Sequence, residues 1–130
     1  ADARVELVVL AGFLRVLTTH FLGAFSRRVI NVHPALCPAF PGTHAARQAL
    51  DRGVRITGCT VHIVDVGVDT GPIIAQAVVP VFPETDDEAT LQARIQEQEH
   101  RLLPKVVQAI ATARLCWRGN LVRHRGTDLL

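Results

Sequence analysis

The sequence predicts one α/β domain built on a mostly parallel open sheet with flanking helices. Its 130 residues are a length typical of one domain. Of these residues 48% are hydrophobic and 20% charged, a composition typical of a folded protein with a substantial core. Short β-prone apolar runs alternate with stretches of helical spacing. This alternation is typical of βαβ units and therefore favours a parallel sheet.

The first elements follow from local patterns. Residues 5–11 form a mostly continuous apolar run, as expected for a buried parallel strand. Thr18 or Thr19 is a candidate N-cap for a short helix that extends to about Phe25. A second strand surrounds Asn31, where β-branched residues flank a polar side chain.

The middle of the chain continues the same rhythm. Residues 44–50 have helical spacing and good helix formers, and Gly53 ends this helix. Strands are predicted at residues 56–64 and 73–81, and the turn-rich segment 65–72 forms the loop between them.

The last third predicts one long helix and a short ending. The helix begins at Thr85 or Asp86, where acidic side chains suit the helix dipole, and it is amphipathic. Pro104 is expected to kink this helix or divide it in two. From Leu115 a short strand or hairpin is expected, and residues 116–130 are expected to form a polar tail of the single domain 1–130.

Composition excludes several classes of function. A formal charge of +2 is too small to favour nucleic-acid binding. Three widely spaced cysteines without a C-x-x-C motif favour neither a disulfide framework nor a zinc site. The apolar runs are shorter than a membrane span, and the start lacks a signal-peptide pattern. We therefore expect a cytoplasmic protein without a metal, nucleic-acid or membrane partner, and we leave a homodimer open.

A carboxamide and an imidazole form the first candidate site. Asn31 and His33 are two residues apart on the second predicted strand, so their side chains point to the same face. Pro34 ends the strand, and Pro38 and Pro41 stiffen the loop that follows. An amide donor beside a group that carries a proton near neutral pH suits acyl-type transfer. Taken alone, the pair also fits capped or solvated residues at a strand end.

Asp69 is the third candidate. It lies in the loop between two predicted strands, before a Thr-Gly-Pro turn. A carboxylate near an imidazole favours the protonated ring and orients it, as acid–base catalysis requires. By itself Asp69 reads as an ordinary turn residue, whereas together with Asn31 and His33 it completes a candidate catalytic group.

Four segments carry a wider pattern: Leu10-Ala11-Gly12-Phe13, Asn31-Val32-His33-Pro34-Ala35-Leu36, Gly58-Cys59-Thr60-Val61-His62 and Val68-Asp69-Thr70-Gly71-Pro72-Ile73-Ile74. In this order they resemble the formyltetrahydrofolate-dependent formyltransferases, over residues from about 5 to 115. Two more stretches, Pro41-Gly42-Thr43-His44-Ala45 and Gln96-Glu97-Gln98-Glu99-His100, are similar to the members that act on glycinamide ribonucleotide. The resemblance implies a Rossmann-like α/β fold.

The resemblance also implies an activity and a set of roles. The amine of glycinamide ribonucleotide would take the formyl group of 10-formyltetrahydrofolate, in purine (IMP) biosynthesis. Asn31 would bind the formyl oxygen, protonated His33 would stabilise it and shuttle the proton, and Asp69 would keep His33 charged. Gln96 and Glu99 would hold the ribose hydroxyls. The folate pocket would comprise Leu14, Arg15, Val16, Leu17, Asn31, Asp65, Val66, Gly67, Val68 and Asp69.

The same resemblance implies a cis bond between Cys37 and Pro38 and leaves other functions open. Family members begin well upstream, so about the first third of such a domain, with its phosphate-binding turn, is expected to be missing from this sequence. We therefore expect weak ribonucleotide binding by residues 1–130 alone. The hydrolase that releases formate from formyltetrahydrofolate and the methionyl-tRNA formyltransferase share the same trio. A non-catalytic folate-binding or oligomer-forming fragment is the alternative outside the enzymes.

Overall fold

Six strands form one sheet in the computed structural model, which describes residues 8–11, 29–64, 71–112 and 114–125. The elements are β1 (Val8–Ala11), β2 (Val29–His33), α1 (Ala45–Arg52), β3 (Ile56–Ile63), β4 (Ile73–Pro80), α2 (Glu88–Ala111), β5 (Leu115–Arg118) and β6 (Leu121–His124). The strands are ordered β1-β2-β3-β4-β6-β5. The first residues of the strand predicted at 5–11, and the predicted helix that follows it, lie outside the described residues.

The α/β prediction is confirmed, but the expectation of a mostly parallel sheet is wrong. β1 and β2 are parallel, as are β4 and β6. The pairs β2/β3, β3/β4 and β5/β6 are antiparallel, so three of the five pairings run in opposite directions. The sheet is therefore mixed.

The connections explain the antiparallel pairs. Helix α1 has only eight residues, so it extends about 12 Å and does not return the chain to the start of β2. The chain instead enters β3 beside the end of β2, where His33 pairs with Thr60, and runs back along it. Residues 64–72, which connect β3 to β4, are fewer than the dozen or so that a parallel crossover needs.

The two helices begin and end as local chemistry dictates. Gly53 ends α1 in the left-handed conformation, with φ 81°, and its N–H donates to the carbonyls of Ala49 and Leu50. Asp87 caps α2: its carboxylate accepts from the Thr90 N–H, and the Thr90 hydroxyl accepts from the Asp87 N–H. The helix therefore begins at Glu88, two or three residues after the predicted start.

Pro104 does not divide α2, so the second of the two expected outcomes, a kink or a division, is wrong. The helix continues from Glu88 to Ala111 with this proline inside it. Pro104 lies on the exposed face, whereas Leu102 and Val106 on either side are buried against the sheet. Packing on both sides of the proline thus holds one continuous helix. Neither helix in the described part of the chain is long and apolar enough to span a membrane.

One face of the sheet forms the core with α2. The core side chains that are at most 5% exposed include Ile30, Val32, Cys59, Val61, Ile63 and Val79 from the strands and Leu91, Ile95, Leu102, Val106 and Ala109 from α2. Because side chains alternate along a strand, the residues between these members point to the opposite face. That opposite face positions the candidate site.

A hairpin closes the described part of the sheet. Of the two structures predicted from Leu115, a short strand or a hairpin, the structure shows the hairpin: β5 and β6 pair antiparallel, and β6 pairs in parallel with β4 where Ile73 is opposite Leu121. His124 Nε2 donates to the Ile74 carbonyl at 2.8 Å, which ties the hairpin to β4. The expected polar tail of residues 116–130 is therefore sheet structure up to His124, and residues 126–130 lie outside the described part.

Candidate active site

The predicted pair on β2 lies on one buried face. Asn31 is 8% exposed and His33 is 4% exposed. Across the antiparallel ladder Asn31 is opposite His62, and His33 is opposite Thr60. Directly opposed residues of such a ladder point to the same side. The structure thus places two imidazoles, a carboxamide and a hydroxyl together on the face away from α2.

One atom of the Asn31 carboxamide is buried without a hydrogen bond in the described part of the chain. Its Oδ1 atom is buried and has no hydrogen-bond partner among the described residues. Leaving a buried polar group unpaired costs about 1–3 kcal/mol. Unpaired buried groups are rare in folded proteins, and each needs an explanation such as a catalytic role or a bound water, ion or ligand.

His33 is held by the loop that follows it. Its Nε2 atom lies 2.7 Å from the carbonyl oxygen of Phe40. A carbonyl only accepts, so Nε2 carries a hydrogen and donates it. In the neutral ring this hydrogen bond corresponds to the Nε2–H tautomer.

The segment 34–41, here called the proline loop, packs on this face of the sheet. Its Cys37–Pro38 bond is cis, as the family resemblance implied. Thr60 and Gln76 hydrogen-bond to its backbone at Ala35 and Cys37. At the far end of the loop, Gln48 Nε2 donates to the carbonyl of Pro41 at 3.0 Å. Contacts from β3, β4 and α1 therefore fix the loop that holds His33.

Glu99 occupies a different environment from Gln96, although both are on α2. Gln96 is exposed, whereas Glu99 is half-buried in the stripe of α2 that packs on the sheet. Burial raises the pKa of the Glu99 carboxyl from its ordinary value of 4.5 to about 7. Burial, and then the nearby Glu99 carboxylate, raise the pKa of the Cys59 thiol to about 11. Glu99 is therefore close to Cys59, on the core face of the sheet.

Asp69 and the proposed folate-pocket residues Leu14, Arg15, Val16, Leu17, Asp65, Val66, Gly67 and Val68 lie outside the described residues. Of the predicted catalytic trio, the structure therefore brings together Asn31 and His33. Within the described ranges, no group of three or more His, Cys, Asp or Glu side chains could hold a metal ion.

Sequence reasoning assigned no role to Thr60, Gln76 or the Phe40 carbonyl. The alternation along β3 puts Thr60 and His62 on one face, which was a signal available in the sequence. Which strand lies opposite that face depends on register between segments far apart in the chain. The hydrogen bonds that hold the proline loop therefore could not be predicted from the sequence.

The family model described as "Formyl transferase" matches residues 1–107. The chain belongs to the formyl transferase family. It is 57% identical over 107 residues to the phosphoribosylglycinamide formyltransferase of Mycobacterium tuberculosis (strain CDC 1551 / Oshkosh), covering 82% of this chain and 49% of that protein. The chain thus spans about half the length of the curated relatives that it matches.

Solved structures that are similar to this chain share its architecture. Glycinamide ribonucleotide transformylase 1 from Symbiobacterium toebii superposes with a TM-score of 0.89 at 49% identity, covering 92% of this chain and 56% of that one. A formyltetrahydrofolate deformylase from Pseudomonas syringae pv. tomato superposes with a TM-score of 0.79 at 28% identity, covering 92% of this chain and 40% of that one. The mixed sheet with its two helices is therefore a formyltransferase fold.

Proposed function

We propose that this chain carries the catalytic residues of an enzyme that transfers the formyl group of 10-formyltetrahydrofolate to the amine of glycinamide ribonucleotide, in cytoplasmic purine biosynthesis. One observation carries the proposal. In a member of the formyl transferase family, a buried carboxamide with an unpaired oxygen lies two residues from a buried imidazole on one face of β2. The names of the relatives support the acceptor, since they are phosphoribosylglycinamide formyltransferases.

The two side chains suit the formation of a tetrahedral intermediate. The acceptor amine attacks the formyl carbon, and a new C–N bond forms while negative charge develops on the formyl oxygen. The Asn31 amide N–H donates to that oxygen, and its Oδ1 atom is available to accept a hydrogen of the attacking amine. Losing one donor of this kind typically reduces the rate by about 10²–10³.

His33 handles the proton. It takes a proton from the attacking amine at Nδ1, because its Nε2 hydrogen is bound to the Phe40 carbonyl. It then gives the proton to the folate nitrogen as the C–N bond to the donor breaks, which releases tetrahydrofolate. Asp69 is proposed to keep the ring charged when the oxyanion forms.

Substrate binding is proposed from the family resemblance. Leu14–Leu17 and Asp65–Asp69 would line the folate pocket. Gln96 and Glu99 would hold the ribose hydroxyls of the ribonucleotide. Gln96 is exposed and Glu99, three positions further along α2, is half-buried, so a ribose that contacts both would bind at the margin of the buried stripe of α2.

A hydrolase is the second candidate. The likeness to a formyltetrahydrofolate deformylase favours it, since the fold and the Asn31–His33 pair would serve water as well as an amine. The Gln96–Glu99 pair favours the transferase, because a hydrolase needs no site for ribose. The two activities differ in one requirement: only the transferase needs the amine acceptor.

A formyl-transfer assay on the complete polypeptide that contains this chain tests both candidates. A 10-formylated folate analogue is supplied with and without glycinamide ribonucleotide, and deformylated folate is followed by absorbance. We expect product only with the ribonucleotide, and a loss of about 10²-fold or more in His33→Ala. His44→Asn is the matched control: His44 is an exposed residue at φ 55°, a conformation that Asn also tolerates. Release of formate without acceptor would support the hydrolase, and equal activity of His33→Ala would exclude both enzymes.

A further inference from the structure

The Thr60 hydroxyl makes every hydrogen bond that a hydroxyl can make. It donates to the Ala35 carbonyl at 2.7 Å and accepts from the Cys37 N–H and from Gln76 Nε2, each at 3.0 Å. A hydroxyl has one donor and two acceptor positions, so Thr60 is fully satisfied. The residue is 0% exposed. Such a buried, saturated hydroxyl defines the position of everything bound to it.

Gln76 also hydrogen-bonds to the proline loop. Its Nε2 group donates both to Thr60 and to the Cys37 carbonyl, the latter at 3.1 Å. The Cys37 residue is therefore held at its N–H by Thr60 and at its carbonyl by Gln76. From that fixed point the loop turns through the Ala39 N–H, which donates to the Leu36 carbonyl at 3.0 Å, and reaches Phe40.

Phe40 has a backbone conformation that the loop must impose. Its φ is 50°, a left-handed value that is rare for a bulky aromatic residue. Such a conformation persists only where the surrounding structure determines it. The proline loop supplies that constraint between Cys37 and the Pro41 carbonyl, which Gln48 holds. The result is a carbonyl directed at His33 Nε2.

We propose that Thr60 and Gln76 are positioning residues that set the tautomer and orientation of His33 through the proline loop. They do not touch the reacting atoms; they hold the Phe40 carbonyl, which selects the ring form with a hydrogen on Nε2. The catalytic part of this inference rests on the proposed function, because a fixed ring matters to the rate only if His33 moves a proton. The structural part, the link from Thr60 to the tautomer, does not depend on it.

The test compares two substitutions of one hydroxyl in the complete polypeptide. Thr60→Val has nearly the same shape and removes all three hydrogen bonds, whereas Thr60→Ser keeps the hydroxyl. Histidine ¹⁵N chemical shifts report the His33 tautomer, and formyl transfer reports kcat and KM. In Thr60→Val we expect a mixture of both tautomers and a kcat about 10²-fold lower, with KM for the folate donor nearly unchanged. Thr60→Ser should restore the Nε2–H tautomer and most of the rate.

A second substitution and a control substitution separate the positioning of His33 from a general loss of stability. Gln76→Met removes the two donations without changing the length of the side chain, and it should move the tautomer in the same direction even if Thr60→Val does not fold. Asp86→Asn, which breaks an ion pair at the start of α2, should lower stability and leave the His33 spectrum unchanged. An unchanged tautomer and kcat in Gln76→Met and in any folded Thr60→Val would overturn the proposal. A shifted tautomer in an enzyme that never transfers formyl would instead leave the positioning role standing and refute the proposed function.

Discussion

The half-buried Glu99 carboxyl predicts a loss of stability as pH rises through neutrality. Glu99 is four residues after Ile95 and three before Leu102, so it lies in the buried stripe of α2. Burial raises its pKa to about 7 in the folded protein from an ordinary value of 4.5. The folded protein therefore binds a proton that the unfolded chain has already released between these two pH values, and the free energy of unfolding falls across that window.

The size of the effect follows from the two pKa values. One pKa unit corresponds to about 1.4 kcal/mol, so the difference sets an upper limit of about 3 kcal/mol. Because Glu99 is only half-buried, partial exposure to solvent reduces this to about 2 kcal/mol. Below pH 4.5 the folded and unfolded chains are both protonated at this position, and the penalty is absent.

Urea unfolding of the wild type and of Glu99→Gln at pH 5 and pH 8 measures this effect. The amide has nearly the same shape and does not ionise, so we expect the variant to be more stable by about 2 kcal/mol at pH 8 and by much less at pH 5. Glu97→Gln is the matched control, since Glu97 is exposed on the same helix. If the wild type and Glu99→Gln differ equally at both pH values, the reasoning is refuted.

Two further predictions concern the framework of the sheet. Gly58→Ala should lower the free energy of unfolding by about 3 kcal/mol or prevent folding, because a Cβ there would overlap the backbone carbonyl of Ala77, and urea unfolding or soluble yield measures this. Asp86→Asn should cost about 2 kcal/mol at pH 7, because the Asp86 carboxylate is bound by both terminal nitrogens of Arg94 at 2.8 Å. Arg94 holds the pKa of Asp86 far below its ordinary value of 3.8. The Asp86–Arg94 pair therefore contributes to the free energy of unfolding above that pH, and this contribution is lost on acidification below it. Denaturation of the wild type and of Asp86→Asn between pH 7 and pH 2 should therefore show that their difference in free energy of unfolding shrinks as the pH falls. A difference that stays constant over this range would contradict the stabilising role of the Asp86–Arg94 pair.

Local patterns were sufficient to find most of the elements. The apolar runs predicted β2, β3 and β4 nearly to their observed ends, and Gly53 marked the end of α1. The period of two correctly predicted that Asn31 and His33 share a face. Each of these predictions depends on contacts within a few residues, which the sequence states directly.

Pairing direction and helix continuity depended on longer-range information. Alternation along a strand is the same whether its neighbour runs parallel or antiparallel, so the sequence did not show that β3 returns along β2. A proline interrupts an isolated helix, yet Pro104 is accommodated because buried Leu102 and Val106 anchor both sides. Tertiary contacts therefore determined the direction of β3, which local patterns leave open, and the continuity of α2 at Pro104, which local preference opposes.

The two faces of the sheet have different roles, and the register of the strands determines which residues lie on each face. The core face packs on α2, and the opposite face carries Asn31, His33 and the proline loop. A slip of one residue in β3 would exchange Thr60 for an apolar neighbour and remove the anchor of the loop. Gly58 opposes such a slip, because only a residue without a side chain fits between Leu36 of the loop and Ala77 of β4. The residue that lets β3 approach β4 closely therefore also holds in register the face that positions His33.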